Sequence, residues 1–116
     1  MQAVSAQPQA SATPASVCPE FHAAVEMGGK RWTGAILFAL TDRPHYFAEL
    51  VVAVPGLSDR LLSQRLRELE SEGLVERSVH PSGRARVRYG LTDKGRDLET
   101  TLGELRGWAK RWNGSA

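Results

Sequence analysis

Cysteine is almost missing from this chain: Cys18 is the one thiol among 116 residues. A single cysteine excludes an internal disulfide framework and fits a reducing compartment. Long apolar runs are missing as well, and none approaches the ~20 residues that a membrane-crossing helix needs. Neither sign of charge dominates. Fifteen Lys and Arg stand against 13 Asp and Glu, a formal net charge of +2, so the total excludes no partner. The opening MQAVSAQPQASATPAS has neither the basic start nor the apolar centre of a secretory signal. Its Ala, Gln, Ser and Pro content predicts a disordered tail over residues 1–17. A cytoplasmic protein without membrane contact is expected. No nucleophile–base pair, metal cluster or phosphate loop can be assembled from the residues, so neither an enzyme nor a cofactor is expected. Gly28-Gly29-Lys30 lacks phosphate-loop spacing.

What is present has strong patterning. The whole chain is 41% hydrophobic and 24% charged, and residues 18–116 read as one soluble domain, small enough that a partner subunit would add useful core. Cys18-Pro19 opens a first helix with an apolar stripe at Phe21, Ala23, Ala24 and Val25, ended by Gly28-Gly29. WTGAILFAL, Trp32 to Leu40, predicts a largely buried helix, followed by a turn over Asp42 to Pro44. YFAELVVAV, Tyr46 to Val54, predicts a third helix closed by Pro55-Gly56, although Val51-Val52 also suits a strand. Ser58 is a good N-cap for a fourth helix whose Leu61, Leu62, Leu66 and Leu69 share one arc, and Gly73 suits a left-handed C-terminal stop. LVERSVH and RARVRYGL alternate around Pro81-Ser82-Gly83 and predict a β-hairpin. Thr92 can cap a last helix running through Leu98, Leu102 and Leu105 to Trp108 and Trp112. The fold class is therefore mainly α with a small β-hairpin: a winged helix-turn-helix, with the third and fourth helices as the helix-turn-helix and the hairpin as the wing.

That outline points to DNA. On the fourth helix Arg60, Ser63, Gln64, Arg67 and Ser71 lie opposite the leucines. A major groove admits one helix, entered N-terminal end first in this motif. Arg60 and Gln64 then suit base edges, and Ser58, Ser63 and Arg67 suit phosphates or bases. In the hairpin, alternation sets Ala85, Val87, Tyr89 and Leu91 on one side and Arg84, Arg86 and Arg88 on the other. Three arginines on one face repel each other unless phosphates or a narrow minor groove receive them. The bland alternative is a solvated polar face; a second is a winged helix module that binds an acidic protein partner. Arg65 falls among the leucines, where its stem can cover the core while it pairs with Glu49 or Glu68. Glu68, Glu70 and Glu72 lie in the helix's C-terminal half, where acids repel DNA least. His45 reads as a turn residue and His80 as a wing residue.

Cys18 at a helix start sits near the positive end of the helix dipole, which favours the thiolate. It is either a cap and packing residue or a redox-sensing thiol, which then joins a second subunit's Cys18 or a small thiol. Cys18, His22 and Glu26 recur at helical spacing, but a structural metal site needs more ligands. Trp108 and Trp112 read as a dimer seam in preference to a ligand cage.

Several separate motifs resemble the HxlR-type branch of winged helix regulators, relatives of the MarR family. They are CP at 18–19, GKRWTGAIL at 29–37, YFAEL at 46–50, PGLSDRLLSQRLRELESEGLVER at 55–77, RVRYGLT at 86–92 and Gly95. The resemblance covers about Cys18 to Trp112. It implies a homodimeric bacterial transcription regulator, usually a repressor, on a roughly palindromic double-stranded operator. It also implies that the N- and C-terminal helices make the dimer, here through Phe21, Val25, Leu98, Leu102, Leu105, Trp108 and Trp112. Oxidant sensing at the position of Cys18, or response to a small-molecule effector, is implied in the same way. Arg88 departs from the pattern, standing where relatives often carry an acid.

Overall fold

The structure, a computed structural model, describes residues 17–81 and 85–114, with the side chains of residues 80, 81 and 85 outside the description. The expected tail therefore lies outside the described residues except for Val17. The chain divides into two compact units between Lys30 and Arg31.

In the first unit, α1 spans Pro19–Gly28. Proline has no N–H to leave unpaired in the first turn. Cys18 is the N-cap, its sulfur accepting from the Phe21 N–H at 3.4 Å. Phe21 and Val25 are exposed on this helix, which buries no residue.

The second unit begins with α2, Thr33–Asp42. It continues two residues beyond the expected Leu40 and takes Asp42 out of the expected turn. Trp32 precedes it at φ 79°, a left-handed conformation uncommon outside glycine. Ile36, Leu37 and Leu40 are buried. His45–Tyr46 form a short strand, β1, which the sequence did not announce. The expected hairpin is thus a three-stranded antiparallel sheet of order β1-β3-β2. Two residues are too few to show alternation; β1 exists because β3 offers a free edge. His45 is correspondingly no turn residue: it is buried, with Nδ1 2.7 Å from the Arg43 carbonyl oxygen.

The third helix, α3, covers Phe47–Ala53 and settles the strand alternative at Val51-Val52. Gly56, at φ 94°, turns the chain into α4, Asp59–Ser71. Ser58 Oγ accepts from the Leu61 N–H at 3.1 Å. At the other end Gly73 takes φ 78°, and the Leu74 N–H returns to the Leu69 carbonyl at 2.9 Å, the closing bond of a Schellman motif.

The hairpin pairs β2, Val75–Pro81, with β3, Ala85–Leu91, in the register Val75↔Leu91 to Pro81↔Ala85. Ser82-Gly83 of the expected turn lie outside the described residues. The last helix is divided, contrary to expectation. Thr92 caps a short α5, Asp93–Arg96, and α6 then runs Glu99–Asn113. The division follows from packing and from a tightened turn. A Cβ on Gly95 would strike the Leu74 carbonyl oxygen, so the chain passes the residue before β2 closely there. The Leu98 N–H then bonds the Gly95 carbonyl, three residues back, which resets the helix.

Leu62, Leu66 and Leu69 of α4 meet Ile36, Leu37, Leu40 and Leu50 in the core, with Leu74, Val75 and Leu91 closing it from the sheet side. Burying such side chains contributes about 1.5–3 kcal/mol each. This is a winged helix-turn-helix: α3, a tight turn, α4, then a β-wing.

Candidate nucleic-acid interface

Leucines pin α4 by one side, so the opposite side is fixed in place. Arg60, Gln64 and Arg67 are exposed there and Ser63 is half-buried. Their spacing of three and four residues puts them on one face. Two one-turn links order that face. Arg67 Nη1 donates to Ser63 Oγ at 3.3 Å, and Gln64 Nε2 to Glu68 Oε2 at 3.4 Å. Among the described residues Arg60 has neither a hydrogen bond nor an ion pair, so its guanidinium points into water at the helix N-terminal end.

Arg65 takes the structural place expected of it. Its side chain is only 14% exposed, its Nη1 lies 3.2 Å from Glu68 Oε1, and its Nε donates to the Arg31 carbonyl at 3.0 Å. Glu49, the other expected partner, is engaged elsewhere. It accepts from the Tyr46 backbone N–H at 2.9 Å, with Arg43 Nη1 at 3.4 Å. The Tyr46 N–H holds the Glu49 carboxyl below its usual range; slight burial opposes this, and Arg43 adds to the lowering.

The two described wing arginines, Arg86 and Arg88, differ in burial. Arg84 lies outside the described residues. Arg86 is exposed, and its guanidinium carbon sits 3.8 Å from the centre of the Tyr46 ring. Arg88 is half-buried opposite Tyr46 and Ser78, and its Nε is buried with no hydrogen-bond partner among the described residues. The face is therefore not three equivalent cations.

On the other face of the sheet the structure adds an arginine that the sequence reading left out of the DNA-binding set. Arg77 Nε pairs with Glu70 Oε2 at 3.0 Å. With Ser63, Arg67, Ser71 and Tyr89 it lines a cleft of about 530 Å³ beside α4. Burial pushes the Tyr89 phenol above its usual range, and the Glu70 charge adds to the shift, so it is a neutral hydrogen-bond donor at neutral pH. The signal was available in part: strand alternation puts Arg77 on the face of Val75 and Val79. Its closeness to Arg67 depends on packing that alternation does not encode.

The remaining expected site residues lie apart from this surface. In α6 Leu98 and Leu102 are half-buried, while Leu105, Trp108 and Trp112 are exposed. Cys18 is exposed at its cap. Among the described residues no group of three or more His, Cys, Asp and Glu is placed to hold a metal ion, and no helix is long and apolar enough to cross a membrane.

A polar helix face held by a leucine core, with a basic wing beside it, defines a winged helix DNA-binding transcription regulator. Residues 27–116 match the HxlR-like helix-turn-helix family. The chain is 47% identical over 96 residues to the HTH-type transcriptional regulator YvaP of Bacillus subtilis, covering 83% of this chain and 89% of YvaP. The reduced form of the transcriptional regulator YodB from B. subtilis superposes with a TM-score of 0.75 at 38% identity, over 84% of this chain and 95% of YodB. YodB is also known in diamide-treated and quinone-bound forms. The redox regulator HypR in its reduced form gives a TM-score of 0.74 at 29% identity, over 79% of this chain and 91% of HypR. This protein belongs to the HxlR-like helix-turn-helix family. Nothing in these likenesses supports the alternative of a module for acidic protein partners.

Proposed function

We propose that the protein is a cytoplasmic, homodimeric repressor, without catalytic activity, that binds a roughly palindromic operator through α4 and the wing. The carrying observation is the fixed face of Arg60, Ser63, Gln64 and Arg67, held in place by buried Leu62, Leu66 and Leu69. Arg60 and Gln64 read base edges. Ser58, Ser63 and Arg67 hold the register on phosphates, and Arg84, Arg86 and Arg88 take flanking phosphates or the minor groove. Two copies of α4 enter successive major grooves about 34 Å apart. Exposed Phe21 and Val25 of α1, and Leu105, Trp108 and Trp112 of α6, with Leu98 and Leu102, favour burial against a second copy. The exposed N-cap Cys18 is the candidate sensor of an oxidant, in keeping with the reduced and treated forms of YodB, and a small effector is the other candidate input.

A mobility-shift titration with DNA from upstream of the coding sequence tests the central part. Arg60→Ala and Gln64→Ala should each erase about 1–3 kcal/mol of preference for that fragment over a scrambled duplex. Unchanged preference in both would remove α4 from the groove. For the thiol, treatment with an oxidant should weaken binding to that fragment and Cys18→Ser should remove the response; an equal response in the serine variant would leave Cys18 a cap only.

A further inference from the structure

The contact between Arg86 and Tyr46 joins two elements that lie far apart in sequence. Tyr46 is the second residue of β1 and the N-cap of α3. Its backbone N–H is held by Glu49, so its position is set by the first helix of the helix-turn-helix. In the sheet Tyr46 lies opposite Arg88, and Arg86 is two residues further along β3. That places Arg86 as the diagonal neighbour on the same face, within reach of an aromatic ring. The guanidinium lies 3.8 Å above the ring centre. A guanidinium that close is held by the ring quadrupole and by stacking, while its N–H groups remain directed outward at its rim. Arg86 has no carboxylate partner among the described residues, so its charge is not cancelled.

We infer that Tyr46 is a positioning residue for DNA binding: its ring holds Arg86 in a phosphate-ready orientation and ties the wing to the start of α3. This rests on the reading that the wing meets DNA phosphates. A free arginine must be ordered when it meets a phosphate. Here the ordering is already done in the unbound protein, and the guanidinium keeps its distance from the helix-turn-helix. The ligand is the phosphate backbone of duplex DNA, and the contact carries no base information.

The test uses the full chain and a labelled mixed-sequence duplex of about three helical turns, titrated by fluorescence anisotropy over a range of salt. Arg86→Ala should weaken binding and reduce the steepness of the salt dependence by about one unit. Tyr46→Leu should weaken it by about 2–5-fold, the loss expected for one cation–π contact. Tyr46→Phe, which keeps the ring face, should bind as the unaltered protein does. In the Arg86→Ala background Tyr46→Leu should have no further effect. In the unaltered protein the Arg86 side-chain proton resonances should be displaced upfield by the ring, a reading that needs no variant to fold. If Arg86→Ala weakens binding but Tyr46→Leu does not, or if Tyr46→Leu weakens it equally without Arg86, the positioning role is refuted and the wing contact stands. If Arg86→Ala itself changes nothing, the wing reading fails and the role of Tyr46 fails with it. Resonances without upfield displacement would also overturn the stack.

Discussion

Helices α4 and α6 are similar in length and both amphipathic, yet their apolar sides meet opposite fates. In α4, Leu62, Leu66 and Leu69 are fully buried within the same subunit. Its polar side is left over, rigid and available. In α6 no residue is buried, and Leu105, Trp108 and Trp112 are 60%, 51% and 70% exposed. Its apolar side is the one left over. A helix whose leucines are satisfied at home offers its charged face to a ligand; a helix whose tryptophans are not satisfied asks for a protein surface. One chain thus carries two unmet demands, of different chemistry.

Substitutions can break or sharpen that contrast. The largest effect belongs to the core of α4. Leu66→Ala should cost about 2–5 kcal/mol of folding stability in urea unfolding, because the packed leucines around it cannot fully close the cavity. A smaller cost than that range would mean that α4 is less firmly seated than its burial implies. Next comes α6. Trp108→Ala should weaken self-association by about 2 kcal/mol or more, read by sedimentation equilibrium, as expected for an aromatic anchor at the centre of an interface. Arg60→Ala should leave self-association unchanged. Equal effects of the two variants would erase the division of labour.

The smallest effect concerns how the two helices of the helix-turn-helix begin. The N-cap of α4 is the neutral Ser58, whereas α3 is held by the Glu49 carboxylate on the Tyr46 N–H. The folded-state pKa of Glu49 lies below its ordinary value of 4.5. The stability that it lends is therefore full above that value, shrinks as the pH falls below it, and is gone once the pH has passed the folded value. Unfolding midpoints measured across acid pH should lose that increment in Glu49→Gln. Ser58→Ala should lower stability by about 1 kcal/mol with no such slope.

Local chemistry was readable from the sequence. The Cys18-Pro19 opening, the Ser58 cap, the Gly73 stop and the inward arc of leucines each depend on residues within a turn or two. Arg65 was readable for the same reason, since its place on the wheel put it among the leucines. Nonlocal pairing was not readable. β1 has two residues and no pattern of its own; it is recruited by the edge of β3, which is how His45 comes to be buried. The division between α5 and α6 depends on Gly95 passing under the Leu74 carbonyl, a contact across elements. In the candidate site, the four residues of α4 were legible because helical spacing alone puts them together. Arg77 beside Arg67 and Tyr46 beneath Arg86 were not, because sheet register and helix packing bring them together.

The account depends most on two copies of α4 reading one duplex. Selection of bound sequences from a pool of random duplexes tests this directly. The expected result is an enriched inverted repeat with half-site centres 10–10.5 base pairs apart, lost when Arg60 and Gln64 are both replaced by alanine. Enrichment of a lone half-site, of no sequence at all, or of the same repeat by the doubly substituted protein would contradict it.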